Sequence, residues 1–334
     1  MIAEKIRALR VASSKKSHTS YVRCYSEKDV LEGKVVDALV IVLRTRGCKW
    51  ALSSGCSMCG YINEAAQVDV SDDALLLQAS EAMKKRRAEK IIKIYTSGSF
   101  LDKTEISENA QTKILELVGT SAEKVVIESR PEFVNKEHLN KLNKICNLEI
   151  ALGLESSNPI ILEKSINKGF KLEDYVKAAE IINELGIKLK TYILIKPPFI
   201  TEKEAIVDAV NSAEFASNYS QTISFNPVNI QKNTLVEYLW KRKEYSPPWL
   251  WSVVEILKCT KENVNSWLIC SPIAGGSRRG THNCGNCDSK ILKAIKEFSL
   301  TQNIKVFDGL DCNCKQKWLD IVELEGFAQA ILLR

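Results

Sequence analysis

The feature that most constrains the fold of this 334-residue chain is a repeat of six apolar segments, each followed by a stretch with helical periodicity. The apolar segments span residues 36–43, 90–95, 124–128, 148–154, 187–195 and 222–228. The first of them, residues 36–43, is an apolar run broken only by Asp37, which is typical of a strand covered on both faces, as in parallel sheets. Right-handed crossovers would place the helices outside the sheet and curl it. The repeat therefore predicts an α/β protein built on a partial (β/α)6 barrel.

The regions that flank the repeat differ from it in pattern. Residues 1–33, which include Lys15 and Lys16, are polar and basic, and they predict an N-terminal extension. This extension would be either a solvated helix and loop or an arm that contacts phosphates. Residues 34–228 hold the repeats and predict the barrel, while residues 229–334 predict a C-terminal extension. The extension is expected to be irregular up to residue 283, with a strand near 304–307 and a last helix from about Lys315.

The chain holds 11 cysteines, an odd number that argues against a secreted disulfide scaffold. The N-terminus is charged from Glu4 and lacks the apolar core of a secretion signal. The longest apolar run, residues 35–43, is too short to span a bilayer. These observations predict a cytoplasmic protein without a membrane span, whose clustered cysteines bind metal. The formal net charge of +6 is compatible with an RNA partner but does not require one.

The first cysteine cluster follows the first predicted strand directly and has the spacing C-x7-C-x2-C, with Cys48, Cys56 and Cys59 as its members. A structural zinc site needs four ligands, and a ferredoxin cluster needs four cysteines. Three thiolates at the mouth of a barrel therefore favour a [4Fe–4S] cluster with one iron left open. The alternatives are a zinc site completed by a distant ligand and a reactive or purely structural loop. Tyr61 would shield the cluster or contact a bound adenine.

The second cysteine cluster has the spacing C-x2-C-x24-C-x-C near the end of the chain. Its members are Cys284, Cys287, Cys312 and Cys314. A C-x2-C pair joined by a second pair is a strong signal for a closed, structural zinc site. A second iron–sulfur cluster is the main alternative. His282 or Cys270 could replace one of the cysteines, and Cys314 is the least secure ligand because C-x-C is a cramped chelate.

These features together resemble the radical S-adenosylmethionine (SAM) superfamily. The superfamily usually has C-x3-C-x2-C, and the wider first gap in this chain resembles the branch of the elongator catalytic subunit. The flanking motifs most closely resemble the archaeosine-biosynthesis family of radical SAM proteins, over nearly the full chain. The motifs are TRGC, GCSMCGY, ESRPEF, GLESSN, SFNPVNIQKNT and HNCGNCD.

The resemblance implies which side chains contact the cofactor. The candidate contacts to SAM are Tyr61, Ser97, Gly98, Ser99, Glu128, Arg130, Glu155, Lys196 and Asn226. The loop of Ser97, Gly98 and Ser99 stands where the superfamily often has Gly-Gly-Glu, so its acidic residue is absent here. Each other contact has a structural alternative, such as an ion pair at a helix start for Glu128 or Arg130. Arg278 and Arg279, in a glycine-rich loop expected to be flexible, are the candidate RNA contacts.

The function that the resemblance implies is an enzymatic, lyase-type step of tRNA modification. The enzyme would use a [4Fe–4S] cluster and SAM to cleave a carbon–nitrogen bond in the lysine adduct of a 7-deazaguanine base in the tRNA D-loop, which gives archaeosine. Its implied partners are tRNA, a lysine-transferring archaeosine synthase subunit and an external electron donor. Two alternatives remain: a radical SAM enzyme that acts on another tRNA base or a small molecule, and a non-catalytic metal protein that binds RNA or transfers electrons. The sequence identifies no general acid or base.

Overall fold

The computed structural model describes residues 2–10 and 18–328. Within these ranges, eight strands form one sheet, and their order in the sheet is their order in the chain. The strands are β1 (Arg23–Leu31), β2 (Lys34–Val42), β3 (Ile91–Tyr95), β4 (Lys124–Ser129), β5 (Leu148–Glu155), β6 (Lys188–Ile195), β7 (Thr222–Pro227) and β8 (Trp267–Cys270). β1 is antiparallel to β2, and every later pair is parallel. The result is a curled half-barrel with β1 and β8 as its two edges.

Helices connect the strands and cover the outer face of the sheet. The α-helices of the described residues are α1 (Ile2–Leu9), α2 (Lys49–Ser53), α3 (Asp72–Met83), α4 (Glu108–Gly119), α5 (Lys136–Asn143), α6 (Leu172–Glu184), α7 (Glu202–Ser217), α8 (Leu235–Lys241), α9 (Leu250–Asn263), α10 (Asp288–Thr301) and α11 (Cys314–Ala328). Short 3-10 helices span Tyr61–Glu64, Pro131–Phe133 and Ile304–Phe307, and a π-helix spans Ile161–Ile166. None of the helices in the described ranges is long and apolar enough to cross a membrane.

Side-chain caps define where several of these helices begin. The Ser107 hydroxyl accepts a hydrogen bond from the Ala110 amide, 3.1 Å away, at the start of α4. At the start of α7, Thr201 and Glu204 each accept a hydrogen bond from the other's backbone amide. Such caps satisfy amides that have no partner within the helix. They fix where the chain leaves the mouth loops and enters α4 and α7.

The six predicted strands are confirmed as β2 to β7, and the predicted partial α/β barrel is confirmed with them. The sequence did not reveal β1 or β8. β1 carries four charged side chains, at Arg23, Glu27, Lys28 and Asp29, so it lacks the apolar run that identified the others. A two-residue turn joins β1 to β2, in which both Glu32 and Gly33 have positive φ, as a tight hairpin requires. β8 is only four residues long.

Three expectations for the flanking regions are corrected. Residues 229–283 are not irregular, because they contain α8, α9 and β8. Residues 304–307 form a 3-10 helix rather than a strand; the Asn303 side chain caps it by accepting from the Lys305 amide. Four residues are too few for their pattern to separate a strand from a helix, and no strand of the described residues pairs with this segment. α1 is not simply solvated, since Ile6 is buried in an apolar cluster with α8. Lys15 and Lys16 lie outside the described residues.

The division of the chain at residues 33 and 228 stays a prediction. The edge strands β1 and β8 come from the two flanking regions, and both pair with the central strands. The barrel and its flanking parts therefore share one sheet.

The inner face of the half-barrel carries buried charges beside a small apolar cluster of Ala38, Ile91, Val126 and Ala151. Lys124 and Lys190 each bind the carboxylate of Glu149 at 2.8 Å, and Lys93 binds Asp29 at 2.6 Å. All of these groups are largely buried, and a buried charge is costly unless it is paired. β1 contributes Asp29, so its charged sequence completes this ionic layer. The larger apolar core lies on the opposite face, between the sheet and the helices.

Candidate active site and metal centres

The three-cysteine loop lies at the carboxyl ends of the parallel strands, directly after β2. Cys48 is the residue that precedes α2, and this short helix occupies the wide gap before Cys56. The Cys56 carbonyl then accepts a hydrogen bond from the Cys59 amide at 3.4 Å, which turns the chain back on itself. All three cysteines are partly buried and free of disulfides. The sequence-predicted cluster ligands are therefore presented from one compact loop at the mouth.

The loop after β3 packs directly on the cysteine loop. A Cβ atom at Gly98 would lie 2.6 Å from the Cys48 Cα and 2.8 Å from its amide nitrogen, so only glycine fits this position. The Ser97 hydroxyl donates to the Tyr61 carbonyl at 3.2 Å, and this hydrogen bond joins the same two loops from the other side. The predicted SAM contacts Ser97, Gly98 and Tyr61 are thus brought together beside the cysteines.

A buried carboxylate that sequence reasoning missed supports this glycine loop. Glu105 accepts a hydrogen bond from the Ser99 amide at 2.7 Å and another from the Thr45 hydroxyl. A Cβ at Gly98 would also collide with this carboxylate. Burial raises the pKa of Glu105 to about 7. The loop lacks the acidic residue that the family often has there, but a carboxylate lies directly behind it; only the fold reveals this, since Glu105 follows in an unpatterned segment.

The electrostatic surroundings of the three thiols are dominated by burial and by nearby cations. Burial raises the pKa of Cys48, and the Arg130 guanidinium opposes this effect. Burial, and then repulsion from Cys56, raises the pKa of Cys59 to about 12, while Lys168 acts in the opposite direction. Metal ligation requires the thiolate form, so positive charge near these sulfurs is needed.

Arg10, at the end of α1, is the second residue that sequence reasoning missed. Both terminal nitrogens of its guanidinium are buried, and neither finds a hydrogen-bond partner among the described residues. A Cβ at Gly55 would collide with this guanidinium, so the side chain is pressed against the cysteine loop. Burial lowers the pKa of Arg10, and the three thiols act against that shift. A cation with unused donors beside three thiols fits an anionic group bound there.

The separation of the three thiols distinguishes between kinds of metal. A single tetrahedral zinc ion, with Zn–S bonds of about 2.3 Å, places its sulfur ligands about 3.8 Å apart. Within the described chain, Cys48, Cys56 and Cys59 do not form a group of metal ligands within 4.8 Å of one another. The arrangement therefore does not fit one zinc ion in a closed site, but it leaves room for a larger cluster.

The remaining candidates of β4 and β5 lie at the same mouth. Glu128 accepts a hydrogen bond from the Tyr192 hydroxyl at 2.8 Å, and burial raises its pKa to about 7. Glu155 is ion-paired with Lys168 at 2.7 Å. Arg130 donates to Glu132 at 2.6 Å, which is the ion pair at a helix start that was the structural alternative for it. The same guanidinium also lies near the Trp50 and Phe170 rings.

Two candidates on β6 and β7 lie farther round the mouth. Lys196 binds the buried Glu202 carboxylate at 2.6 Å and has a positive φ. Asn226 is half-buried near the end of β7, opposite Leu194. The segment after β7 reaches back to the cysteine loop, where the Gln231 side chain accepts from the Gly60 amide at 2.5 Å. This hydrogen bond brings the SFNPVNIQ motif onto the cluster loop.

The second cysteine cluster is compact. Its sulfurs lie 3.9 Å apart for Cys284 and Cys287, 3.7 Å for Cys284 and Cys312, and 3.6 Å for Cys287 and Cys314. All four lie within 4.8 Å of one another. Backbone amides lower the pKa of Cys284 to about 7, whereas burial raises that of Cys287 to about 12. The four sulfurs have the spacing that one tetrahedral ion needs.

Neighbouring side chains donate to these sulfurs. The Trp251 indole donates to the Cys314 sulfur, and the Asn283 amide donates to the Cys287 sulfur, both at 3.4 Å. The substitutes considered for this site are not part of the four-sulfur group, as far as the structure describes the chain: His282 interacts with the Gly280 carbonyl, and Cys270 lies buried in β8.

The two candidate RNA contacts are placed differently. Arg279 is ion-paired with Glu237 at 2.7 Å and stacks over the Trp240 ring. Arg278 is exposed and lines an open cleft. The loop that carries them is held by backbone hydrogen bonds, including one of 2.8 Å from Gly276 to Thr281, so it is ordered rather than flexible.

Comparison with known proteins identifies the class of protein to which this half-barrel, with three thiols at its mouth, belongs. The family model described as Radical SAM superfamily matches residues 42–210. The chain is 39% identical over 309 residues to the archaeosine synthase subunit beta of Methanosarcina acetivorans, covering 90% of this chain and 89% of the relative. It is 40% identical over 310 residues to the protein of that name from Thermococcus kodakarensis, covering 90% and 96%. The chain therefore belongs to the radical SAM superfamily and, within it, to the family of these two relatives.

Among solved structures, the fold is similar to that of the archaeal Elp3 of Methanocaldococcus infernus with its N-terminus deleted. The TM-score is 0.51 at 17% identity, and the match covers 72% of this chain and 61% of that one. At this identity the similarity supports the barrel alone. The chain spans less than two thirds of that protein.

Proposed function

We propose that this radical SAM enzyme acts in tRNA modification and cleaves the lysine carbon–nitrogen bond of a lysine-adducted 7-deazaguanine, which gives archaeosine. The support for the radical SAM part is the arrangement of three separated thiols, a buried cation and a glycine loop at one barrel mouth. The support for the substrate is the similarity to two proteins named archaeosine synthase subunit beta, at 39% and 40% identity over most of both chains.

Cys48, Cys56 and Cys59 would hold a [4Fe–4S] cluster, because three thiolates leave one iron open and the unpartnered nitrogens of Arg10 fit its charge. When bound, the cluster and SAM together supply a carbon-centred radical that removes a hydrogen atom from an unactivated carbon. The backbone at Gly98, supported from behind by Glu105, would bind the methionine end of SAM. Tyr61 and Asn226 remain candidates for its adenine end.

The chain's own groups at the mouth would orient the substrate and handle protons. Glu128 has a pKa of about 7 because it is buried, so it can hold or release a proton near neutral pH. The Tyr192 hydroxyl fixes the orientation of this carboxyl. Glu155, held by Lys168, and Arg130, held by Glu132, would position the hydroxyl and carboxylate groups of ligands at the mouth. Lys196 has a similar role on β6, with Glu202 as its partner.

The four late cysteines would hold a structural zinc ion. The observation that favours zinc over a second iron–sulfur cluster is the sulfur separation of 3.6–3.9 Å, which fits one tetrahedral ion. Such a site would tie the segment before α10 to the start of α11. The proposed partners are tRNA, a lysine-transferring subunit and an external electron donor. The name "subunit beta" of both relatives supports a partner subunit.

The proposal is tested by a single-turnover reaction under anaerobic conditions. Reduced, cluster-loaded protein is incubated with SAM and either lysine-adducted tRNA or the same tRNA without the adduct. We expect 5′-deoxyadenosine and archaeosine in equal amounts with the adducted tRNA, and no archaeosine with the unadducted one. Archaeosine must also be absent from the Cys56→Ser variant. If the loaded wild type forms 5′-deoxyadenosine but no archaeosine, the radical SAM class stands and the substrate proposal fails.

A further inference from the structure

An open cleft of about 860 Å³ lies beside the barrel mouth, and Lys196 alone among its lining residues has a role in the function proposed above. Its walls come from the loop after β6, the end of α8 with the residues that follow it, and the loop before the second cysteine cluster. Lys196 lines it from the end of β6, and Trp240 lines it from α8. The cleft is therefore bounded by both the barrel and the C-terminal region.

The walls of the cleft carry excess positive charge. Lys241, Lys243 and Arg278 are exposed and line it. The acidic side chains of the lining have partners of their own. Glu244 is ion-paired with Arg242 at 2.8 Å. The Glu325 carboxylate accepts a hydrogen bond from the Glu202 amide at 2.6 Å.

Part of the positive charge is already paired. Lys241 lies 3.6 Å from Glu237, a carboxylate that it shares with Arg279. The exposed cations still outnumber the acids that oppose them. This charge distribution fits a polyanion.

Aromatic side chains line the same cleft as these cations. Phe199 is 37% exposed at the cleft, although a large apolar side chain gains by burial. Its backbone φ is +71°, and Lys196 and Lys243, which line the same cleft, also have positive φ. This conformation costs energy for residues other than glycine, and it persists where the surrounding structure enforces it, often at ligand-binding sites. An exposed ring and cations in one cleft are the combination that binds an unpaired nucleotide.

The cleft is close to the radical site. The Val236 amide of α8 donates to the Ser57 carbonyl, inside the cysteine loop, at 3.2 Å. Trp240 follows one helical turn later, which is a rise of about 6 Å along α8. Trp240 and Tyr245 pack against the same apolar cluster as Cys56. A nucleotide in the cleft would therefore lie next to one whose base enters the barrel.

We infer that this cleft binds RNA: Lys243, Arg278 and Lys241 contact phosphates, and Phe199 stacks on an unpaired base that neighbours the reacting nucleotide. The inference rests on the proposed tRNA substrate. Binding of an acidic surface of a partner protein would use the same charges, but it would not need the exposed ring of Phe199, so RNA is the better match.

The test compares two double variants in binding to an unmodified tRNA transcript over a range of salt concentrations, by fluorescence anisotropy. The cleft variant is Lys243→Ala with Arg278→Ala. The control is Lys90→Ala with Lys188→Ala, which removes the same charge from exposed lysines directly before β3 and at the start of β6, at the strand ends opposite the mouth. We expect the cleft variant to bind roughly tenfold more weakly. Its slope of log K against log salt should fall by about 0.7–0.9 for each phosphate that the variant no longer neutralises. The control variant should bind as the wild type does.

Phe199→Leu separates stacking from charge. Loss of one stacked base costs about 1–3 kcal/mol, so the dissociation constant should rise at least about fivefold while the salt slope stays unchanged. Iron and zinc contents equal to those of the wild type show that each variant is folded.

Equal binding by the cleft variant and the wild type would overturn the inference. So would cleft variants that keep RNA binding but lose a partner subunit in a pull-down. If the wild type itself binds no tRNA, the proposed tRNA substrate fails as well, and that failure is visible before any variant is compared.

Discussion

The two cysteine sites of this protein have opposite designs. The first has three thiols from one loop, too far apart for a single ion, beside a glycine loop and a barrel mouth. The second has four thiols from two segments, all within 4.8 Å of one another. A closed tetrahedron has no position for a substrate, whereas three ligands leave one. Under the assignments proposed above, ligand number and spacing separate a reactive centre from a structural one within the same chain.

The two sites also differ in the charge of the side chains that surround them. Cations lie near the first site, where Arg10, Arg130 and Lys168 all act on the thiols. Neutral donors surround the second, with Trp251 and Asn283 bonded to its sulfurs. A cluster whose negative charge changes on reduction needs a nearby cation to compensate it. A thiolate–zinc site, whose charge is fixed, needs only hydrogen bonds that orient its ligands.

The largest expected difference comes from removing one ligand at each site. Cys56→Ser should lose nearly all iron and sulfide and all 5′-deoxyadenosine formation, because three thiolates are the minimum for this cluster. Its zinc content should stay at the wild-type value. Metal analysis and product quantification on anaerobically purified protein measure both effects. Retention of a full cluster in Cys56→Ser would break the assignment of the first site.

The reciprocal variant is Cys287→Ser. It should lose zinc, keep the capacity to assemble the iron–sulfur cluster, and lower the free energy of unfolding by at least about 3 kcal/mol, because metal binding contributes to folding. Zinc analysis and thermal unfolding measure these effects. The buried Cys270→Ser is the control, since it lies outside the four-sulfur group. Iron rather than zinc at the second site of the wild type would contradict this prediction.

A smaller effect is expected from the donors around the second site. Trp251→Phe removes the indole donor to Cys314, so zinc affinity should fall about 10–100-fold. Trp267→Phe is a matched control because it also loses one indole hydrogen bond, to the Ser299 carbonyl, away from the metal ligands. Competition with a chromophoric chelator measures the affinities. Equal zinc affinity for the two variants would show that the indole hydrogen bond does not support the site.

The smallest expected effect concerns the charge at the first site. Arg10→Ala should make the reduction potential of the cluster more negative by on the order of 50–100 mV. Reduction adds negative charge that this guanidinium stabilises, and one charged hydrogen bond contributes about 1.5–3 kcal/mol. Arg10→Lys should restore part of the shift. Arg7→Ala, on the exposed face of α1, is the control.

Redox titration followed by electron paramagnetic resonance measures the potential independently of turnover. Unchanged potential in Arg10→Ala, with Arg7→Ala as reference, would mean that the cation beside the first site does not act on the cluster.

The sequence alone determined the central strands and both cysteine clusters. β2 to β7 are largely buried on both faces, so each is rich in apolar residues, although paired charges such as Lys93, Glu149 and Lys190 interrupt three of them. The cysteine sites depend on residue type and short spacing, which are local properties. Metal ligands that lie a few residues apart, singly or in pairs, can be recognised directly in the sequence.

Only the tertiary structure decided how the site is supported. Asp29 of β1 forms an ion pair with Lys93 of β3. A pair between residues so far apart in the sequence cannot be predicted from the pattern of either strand. Arg10 and Glu105 reach the cysteine loop from other elements, and their roles arise from contacts between residues distant in sequence. Residues 304–307 form a 3-10 helix, because in so short a segment the surrounding structure rather than the sequence pattern determines the conformation. The three-cysteine motif could be recognised in the sequence, but the Arg10 guanidinium and the Glu105 carboxylate come next to it only when the chain has folded.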